Sequence, residues 1–520
     1  MALPGGGDYI GGDTGFAGYM GHVVLTAVVA VGLPVTAMGV LLPYLFKLAE
    51  ADARGPGETV GALVMINTLA AIAGSVGAGC VLLGWLGLWP SLRLMAALYL
   101  AAALWLVVEK QPKGGSVRLA PIVGMLILIT LLDTSRLPLV RTDPIEKEEM
   151  LLKVWEGADG TVAVVRQGGH LRTKLNNWYT LGGTGDTITQ QIQTHLPMLL
   201  HENPKRVFYL GLGTGITAGA VLDYPVESVV VAEIAPSVIK ASREFFSEYT
   251  NGLFDDPRVS VIAEDGRNVL RGAQSEFDLI ISDLFIPWKA GTGTLYSVEH
   301  YQASKRRLRE GGLYAQWIPL YQVTQEEFAI ITRSMLEVFP TVTLWRGNFW
   351  ADRPVVALIG HREAAILESS TPLLVASQRA LEEHKDGVGD TVPLIAHYAG
   401  GVSKTDTNFS DAPVNTDNRP VIEYRAPINH RLEKAGRAEW FTDERMLDFM
   451  AERVNRDALA TDAYLSGINP AWRDVVQAGY YFHASKALKS WEHEDADVAE
   501  QAYRDLLQQT AIELGRRALQ

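Results

Sequence analysis

The stretch YLGLGTGITAG, residues 209–219, decides how most of this chain folds. With the RVF before it, it reads as a short apolar strand that runs into Gly211, Gly213 and Gly215 and then into a helix. Glycines there permit a tight turn and a close approach of backbone to a ligand, and a helix N-terminus favours an anion or carboxylate. Gly-x-Gly-x-Gly is common by itself; its place between a strand and a helix gives it meaning.

Downstream, the alternation continues. SVVVAEI is a second strand, APSVIKASREFF a second helix and RVSVIAED a third strand. FDLIISDLF is a fourth strand, and GGLYAQWIP a fifth. Between those two lies a helix ending in SKRRLREGG, read as a cationic last turn with a glycine stop at Gly311 and Gly312. VTLWRG and PVVALIG look like a closing antiparallel pair. Strands alternating with helices predict a parallel sheet covered on both faces. The second strand ends at Glu233, followed by Ile234, and a carboxylate there can accept both hydroxyls of a ribose. The third closes on Asp265 and Gly266, where the acid could bond an exocyclic amine of adenine. The fourth closes on Asp283. Each acid alone is equally a solvated strand end; together, at successive carboxyl ends, they point to a nucleoside site.

Upstream the chain changes character. At 520 residues it is too long for one core. Its apolar weight is concentrated in runs at about 19–45, 60–83, 92–108 and 119–132, of which the last is short, so three to four membrane spans are expected. The first run has no Lys or Arg before it and is too long for a signal core. Ala70, Gly74 and Ala78 stand at four-residue spacing, which predicts close helix packing in lipid, and Asn67 reads as an interhelical hydrogen bond. Between the runs and the glycine loop, TVAVVRQGGHLRTKLNNWYTLGG alternates like hairpins, and DTITQQIQTHLPMLLHENP has helical spacing. The expected domains are a polar N-terminus (1–17), a transmembrane helical region (18–135), a small antiparallel β domain (150–184), a Rossmann-like domain (185–360) and a mostly helical C-terminal region (361–520).

Several function classes drop out. A net charge of −13 with no concentrated basic face argues against nucleic acid as a partner. The single cysteine, Cys80, permits neither a disulfide framework nor a cysteine metal site. His195, His201 and His300 have no metal-ligand spacing, and there is no Gly-x-Ser-x-Gly. No metal is expected.

The order of glycine loop, Glu233, EDG and strand-end Asp283 is that of S-adenosylmethionine-type Rossmann enzymes rather than NAD enzymes. Over residues 150–360 the sequence resembles the spermidine synthases, or polyamine aminopropyltransferases, in the bacterial branch fused behind transmembrane helices. TQQIQTHLPML, GLGTGITAGAVL, DPRVSVIAEDGR, SDLF-P, LYSVEHY and GGLYAQWIPLY carry the resemblance, and NTDNRPVIEY and GALVMINTLAAIAGSVGAG resemble the fused branch. The resemblance implies decarboxylated S-adenosylmethionine, or S-adenosylmethionine, as co-substrate and a small-molecule amine or other nucleophile as acceptor. It places Glu233 at the ribose, Asp265 at the adenine and Gln190 beside cofactor and amine. Asp283 becomes the acid that receives the amine's proton, since an ammonium has no lone pair until it loses one.

Three positions depart from that pattern. Thr214 replaces an Asp that would bind the amine of the decarboxylated cofactor, Ile286 replaces the second acid of an Asp-x-x-Asp pair, and Gln191 replaces a Glu. A diamine would lose its far anchor, and intact S-adenosylmethionine would meet less repulsion. Ile286 and Trp288 suggest an acceptor pocket rebuilt for something more apolar; Trp288 either stacks on a ligand or caps the core. Tyr296, Gln316 and Tyr321 are secondary candidates whose first reading is structural.

Three functions follow as expectations: a membrane-anchored aminopropyl transferase, another S-adenosylmethionine-dependent reaction such as methyl transfer, or a non-catalytic nucleoside-binding membrane scaffold. The resemblance also implies a homodimer. Lys47, Arg54, Lys110, Lys113 and Arg118 lie in the loops opposite the catalytic end, partly offset by Arg136, Arg141 and Lys147. Cofactor supply places that end in the cytoplasm, at the inner membrane of a bacterial cell.

Overall fold

A strand buried on both faces needs no alternation, and β5 (Arg206–Leu210) shows why: its last four residues are all buried, so helices must cover both sides. In the computed structural model, β5 lies inside an eight-stranded sheet, third from one edge. The structure describes residues 15–32, 56–109, 148–157, 160–176, 179–368 and 394–518, with isolated positions between them. The remaining strands are β6 (Ser228–Glu233), β7 (Val259–Ala263), β8 (Phe277–Ser282), β9 (Leu308–Pro319), β10 (Thr341–Arg346), β11 (Val355–His361) and β12 (Tyr398–Val402). Their order is β12-β10-β11-β9-β8-β5-β6-β7. The pairs among β9, β8, β5, β6 and β7 are parallel, as expected, and β10 and β11 pair antiparallel. The order reverses between β5 and β8, and that switch point is where such sheets open a crevice at their carboxyl ends.

Beside its helices, the C-terminal region supplies β12, which adds antiparallel to β10, so the sheet extends beyond 185–360. Leu394, Ile395, Val475, Val476 and Phe482 share one buried cluster with Val207, Tyr209 and Leu279 of the sheet. Two expectations are corrected. The helix after the glycine loop is only Ile216–Gly219, followed by a 3-10 turn Ala220–Asp223. So short a helix has little dipole to offer an anion. The basic cluster does end a helix, Val298–Arg307, but Leu308 is already extended. Gly311 (φ +74°) instead serves a bulge within β9, where the register with β8 shifts between Phe277/Leu308 and Leu279/Leu313.

Gly219 is the last residue of the short helix Ile216–Gly219. A Cβ there would stand 2.4 Å from the Thr250 carbonyl oxygen, a backbone atom that cannot step aside. Gly219→Ala should lower unfolding stability by about 1–3 kcal/mol, the usual penalty for overpacking; an unchanged denaturant midpoint would refute this.

The chain divides into two compact units, and residues 14–183 form the other one. It contains a four-stranded antiparallel sheet of β1 (Met150–Gly157), β2 (Gly160–Gln167), β3 (His170–Leu175) and β4 (Tyr179–Gly183), in sequence order. Gly87 (φ +76°) separates two helices, and the Leu88 N–H donates to the Glu156 carboxylate of β1 at 2.7 Å. Among the described residues one helix, Gly57–Leu86, is long and apolar enough to cross a membrane, and Leu88–Ala102 is a shorter apolar helix. Gly57–Leu86 covers the expected 60–83 run and includes a π-turn at Gly77–Leu82. Of the 19–45 run, the structure describes residues continuously only to Gly32, and most of 119–132 lies outside the described residues. Among the described residues, no atom other than the helix's own nearby backbone lies within 4 Å of where a Cβ on Gly74, Gly77 or Gly79 would stand.

Candidate active site

The glycine loop between β5 and Ile216–Gly219 follows left-handed backbone at three glycines: Gly211 (φ +98°), Gly213 (φ +54°) and Gly215 (φ +82°). Side chains resist that conformation, so the sequence commits the loop to glycine. Gly211 is also needed for space. A Cβ there would sit 3.3 Å from the Asp283 Cβ and 3.6 Å from the Phe285 ring. Gly215 leaves room for Ser242, whose hydroxyl donates to the Thr214 carbonyl at 2.5 Å.

Glu233, at the end of β6, is buried and organises the loop. Its Oε2 accepts from the N–H groups of Leu212 (3.0 Å) and Gly213 (3.4 Å), and its Oε1 accepts from Ala235 (3.0 Å). Burial raises its pKa, and these N–H donors pull it back down. The loop N–H groups expected to greet an anion are thus turned toward a carboxylate of the protein. Ile234 beside it is 66 % exposed, an unusual place for a large apolar side chain and a suitable surface for a flat base.

Asp283 follows β8 directly across the switch point. Its N–H donates to the Leu210 carbonyl at 3.1 Å, and its Oδ1 accepts from the Leu284 N–H at 2.7 Å. The residue keeps partial solvent exposure at the crevice but is set deep in protein mass. That depth pushes its carboxyl up to about 6, against the Leu284 hydrogen bond and with help from nearby Glu233. A carboxyl so poised changes charge near neutral pH, which is what proton transfer requires.

Thr214 and Gln190 are brought together: the buried Thr214 hydroxyl donates to the Oε1 of Gln190, on the Thr187–Leu200 helix, at 2.6 Å. Gln191, the next residue, is half-buried on the same helix. Asp265 is the N-cap of Gly266–Gly272, its Oδ1 accepting from Arg267 N–H at 2.8 Å. Gly266 is required where it stands, since a Cβ would meet Leu210 at 2.7 Å.

The acceptor-side candidates separate. Ile286 is 3 % exposed. Trp288 stacks on His430, with ring centroids 4.0 Å apart and planes 8° from parallel. Tyr296 is fully buried and its hydroxyl donates to the Phe285 carbonyl at 2.9 Å. Gln316 is also fully buried: its Oε1 accepts from the Tyr314 hydroxyl at 3.0 Å and its amide donates to the Trp317 carbonyl. Tyr321 lies within electrostatic reach of Asp186, Asp283 and Arg353, and burial raises its pKa. Sequence reasoning missed Lys289, which faces Glu233 from the loop after Asp283; burial lowers its pKa and Glu233 opposes the shift. Its signal was present, as the one charge in IPWKAG.

With this geometry in place, comparison with known proteins is decisive for the segment around the crevice: residues 186–345 match the spermine/spermidine synthase domain. Over these residues the chain is similar to spermine/spermidine synthase domains. The chain is similar to the polyamine aminopropyltransferase of Aeropyrum pernix, 35% identical over 186 residues, which is 35% of this chain and 59% of that protein. It is 34% identical over 160 residues to that of Thermotoga maritima, 30% of this chain and 53% of the relative. The chain therefore spans little more than half the length of these curated relatives. The solved spermidine synthase from Thermotoga maritima superimposes with a TM-score of 0.37 at 19% identity, covering 55% of this chain and 87% of that one. Glu233, Asp265 and Asp283 all lie within residues 186–345; β11, β12 and the C-terminal helices lie beyond them.

Proposed function

We propose that this chain is an aminopropyl transferase anchored in a membrane, using decarboxylated S-adenosylmethionine as donor and an amine as acceptor. The observation that carries the reading is Asp283: a carboxyl raised to about 6, at the switch point, one strand from the buried Glu233. The crevice fits the nucleoside, with Ile234 as an apolar shelf and Glu233 as ribose acceptor. The acceptor nitrogen loses its proton to Asp283 and attacks the carbon next to the sulfonium. The carbon–sulfur bond breaks, its electrons neutralise the sulfur, and methylthioadenosine leaves. No further activation is needed beyond alignment of nitrogen, carbon and sulfur.

Ile286 and the Thr214–Gln190 pair support an acceptor with one nitrogen and an apolar remainder. The same pair favours a second reading, in which intact S-adenosylmethionine is held and a methyl group moves. Calorimetry with the decarboxylated form, the intact form and methylthioadenosine separates the two, and failure to bind all three rejects both. Thr214→Asp should shift preference toward the decarboxylated form by about 10- to 100-fold, the range for one charge-assisted hydrogen bond; an unchanged ratio counts against Thr214 as the selector.

The remaining parts of the proposal are location and assembly. Gly57–Leu86 supports a membrane span, and cofactor supply supports a multi-pass protein of a bacterial inner membrane with a cytoplasmic catalytic unit. Labelling of introduced cysteines from outside tests the side. Sedimentation tests the homodimer that the resemblance implies.

A further inference from the structure

The loop that follows Asp283 is held partly from within, where the Thr292 hydroxyl donates to the Ile286 carbonyl at 2.5 Å and the Tyr296 hydroxyl to the Phe285 carbonyl at 2.9 Å, and partly by a segment far along the chain. The loop's two glycines, Gly291 and Gly293, donate their N–H groups to the two oxygens of Glu423, at 2.6 and 3.0 Å. Both must be glycine: Gly291 is left-handed (φ +88°), and a Cβ on Gly293 would stand 2.8 Å from both the Glu423 N and Oε2. Asn415 adds a third tie, donating its amide to the Gly293 carbonyl at 2.8 Å while its Oδ1 accepts from the Ile422 N–H. Trp288 stacks on His430, and burial keeps that imidazole's pKa near 4, so the stack is one of neutral rings. Glu423 and His430 belong to one helix, Val421–Lys434, which lies beyond residues 186–345.

The same segment reaches the nucleoside side of the crevice. Asp417 accepts from the Arg267 guanidinium at 3.0 and 2.8 Å, one turn from the Asp265 cap, and from the Ser297 hydroxyl at 2.7 Å. Residues 415–430 thus grip both banks of the site, through contacts within a single compact unit.

We infer that Glu423 is a positioning residue, clamping residues 284–296 so that Ile286 and Trp288 present a preformed acceptor wall beside Asp283. This rests on the aminopropyl-transfer reading above for its chemistry, but the clamp itself can be read without turnover. Hydrogen exchange on the full-length protein monitors it directly, because the Gly291 and Gly293 amides are the donors. In Glu423→Ala these amides should exchange about 10- to 100-fold faster, as charge-assisted hydrogen bonds are lost. Peptides of β5, β6 and β8 should keep their protection. Glu423→Gln should fall between, since its amide oxygen can accept from one glycine but its NH2 group cannot accept from the other; this variant carries the test if the alanine variant fails to fold.

With the decarboxylated donor and the amine that wild type uses fastest, Glu423→Gln should lower kcat about tenfold while donor KM stays within about twofold. A merely structural role would leave kcat alone or weaken donor and acceptor together. Unchanged loop exchange in both variants, or uniformly faster exchange across the unit, would overturn the clamp. Wild type that turns over no amine removes the transfer reading and leaves the exchange result standing.

Discussion

Asp283→Asn should abolish transfer and, above pH 7, make the protein more stable. The loss of a general base costs about 10²- to 10⁴-fold in rate. The stability gain follows from linkage. The folded carboxyl titrates at about 6 and the unfolded one near 3.8, so the folded state holds the extra proton between those values. That contribution is fully present below about pH 4 and is lost as pH rises through 6. Asparagine removes the buried charge while keeping an oxygen for the Leu284 N–H, so at pH 8 the variant should gain about 2–3 kcal/mol at most. In wild type, kcat/KM should rise with pH on a limb near 6, and a cationic acceptor should move the kcat limb lower. Thermal unfolding at pH 5 and pH 8 together with a pH–rate profile checks both halves. A variant with full activity, or one destabilised at pH 8, would count against Asp283 as a buried proton acceptor.

Glu233→Gln should cripple nucleoside binding while sparing the fold of the sheet. Three backbone N–H groups converge on this carboxylate, two on Oε2 and one on Oε1. Whichever way an amide is turned, its NH2 group faces donors. The variant therefore disturbs the glycine loop and also forfeits charge-assisted bonds to the ribose hydroxyls, each about 1.5–3 kcal/mol. Methylthioadenosine should bind about 100-fold more weakly or worse. Asp265→Ala is the contrast: it removes a helix cap, at about 1 kcal/mol, and should weaken binding far less. Equal effects from the two variants would mean that Glu233 shapes the loop without touching the ligand.

How much was legible depended on how local the cause was. β5, β6, β7 and β8 are short apolar runs bounded by glycine, proline and acids, and their alternation with helices fixes a parallel sheet. The strand-end acids were legible for the same reason, because a strand places its last residue at the crevice without help from elsewhere. β12 was not, since two of its five residues are glycine and its partner β10 is far away in sequence. The helix after the glycine loop was overestimated because its terminator is tertiary: Gly219 lies under Thr250, and the residue before Pro225 leaves helical space. Trp288 could be read as a ligand platform or a cap, and only His430, brought from the C-terminal helix, shows what it stacks on. Glu423 lay beyond any local reading, 132 residues from the glycine it holds.

The placement of β12 also has a consequence for biosynthesis. As the chain leaves the ribosome, β10 and β11 can join the sheet long before residue 398 is made, and β10 then ends it with open N–H and C=O groups. An unpaired edge recruits other strands, including those of neighbouring nascent chains. The sheet is thus exposed to aggregation for the time needed to translate about forty further residues, and sealing the edge is the work of a strand outside residues 186–345.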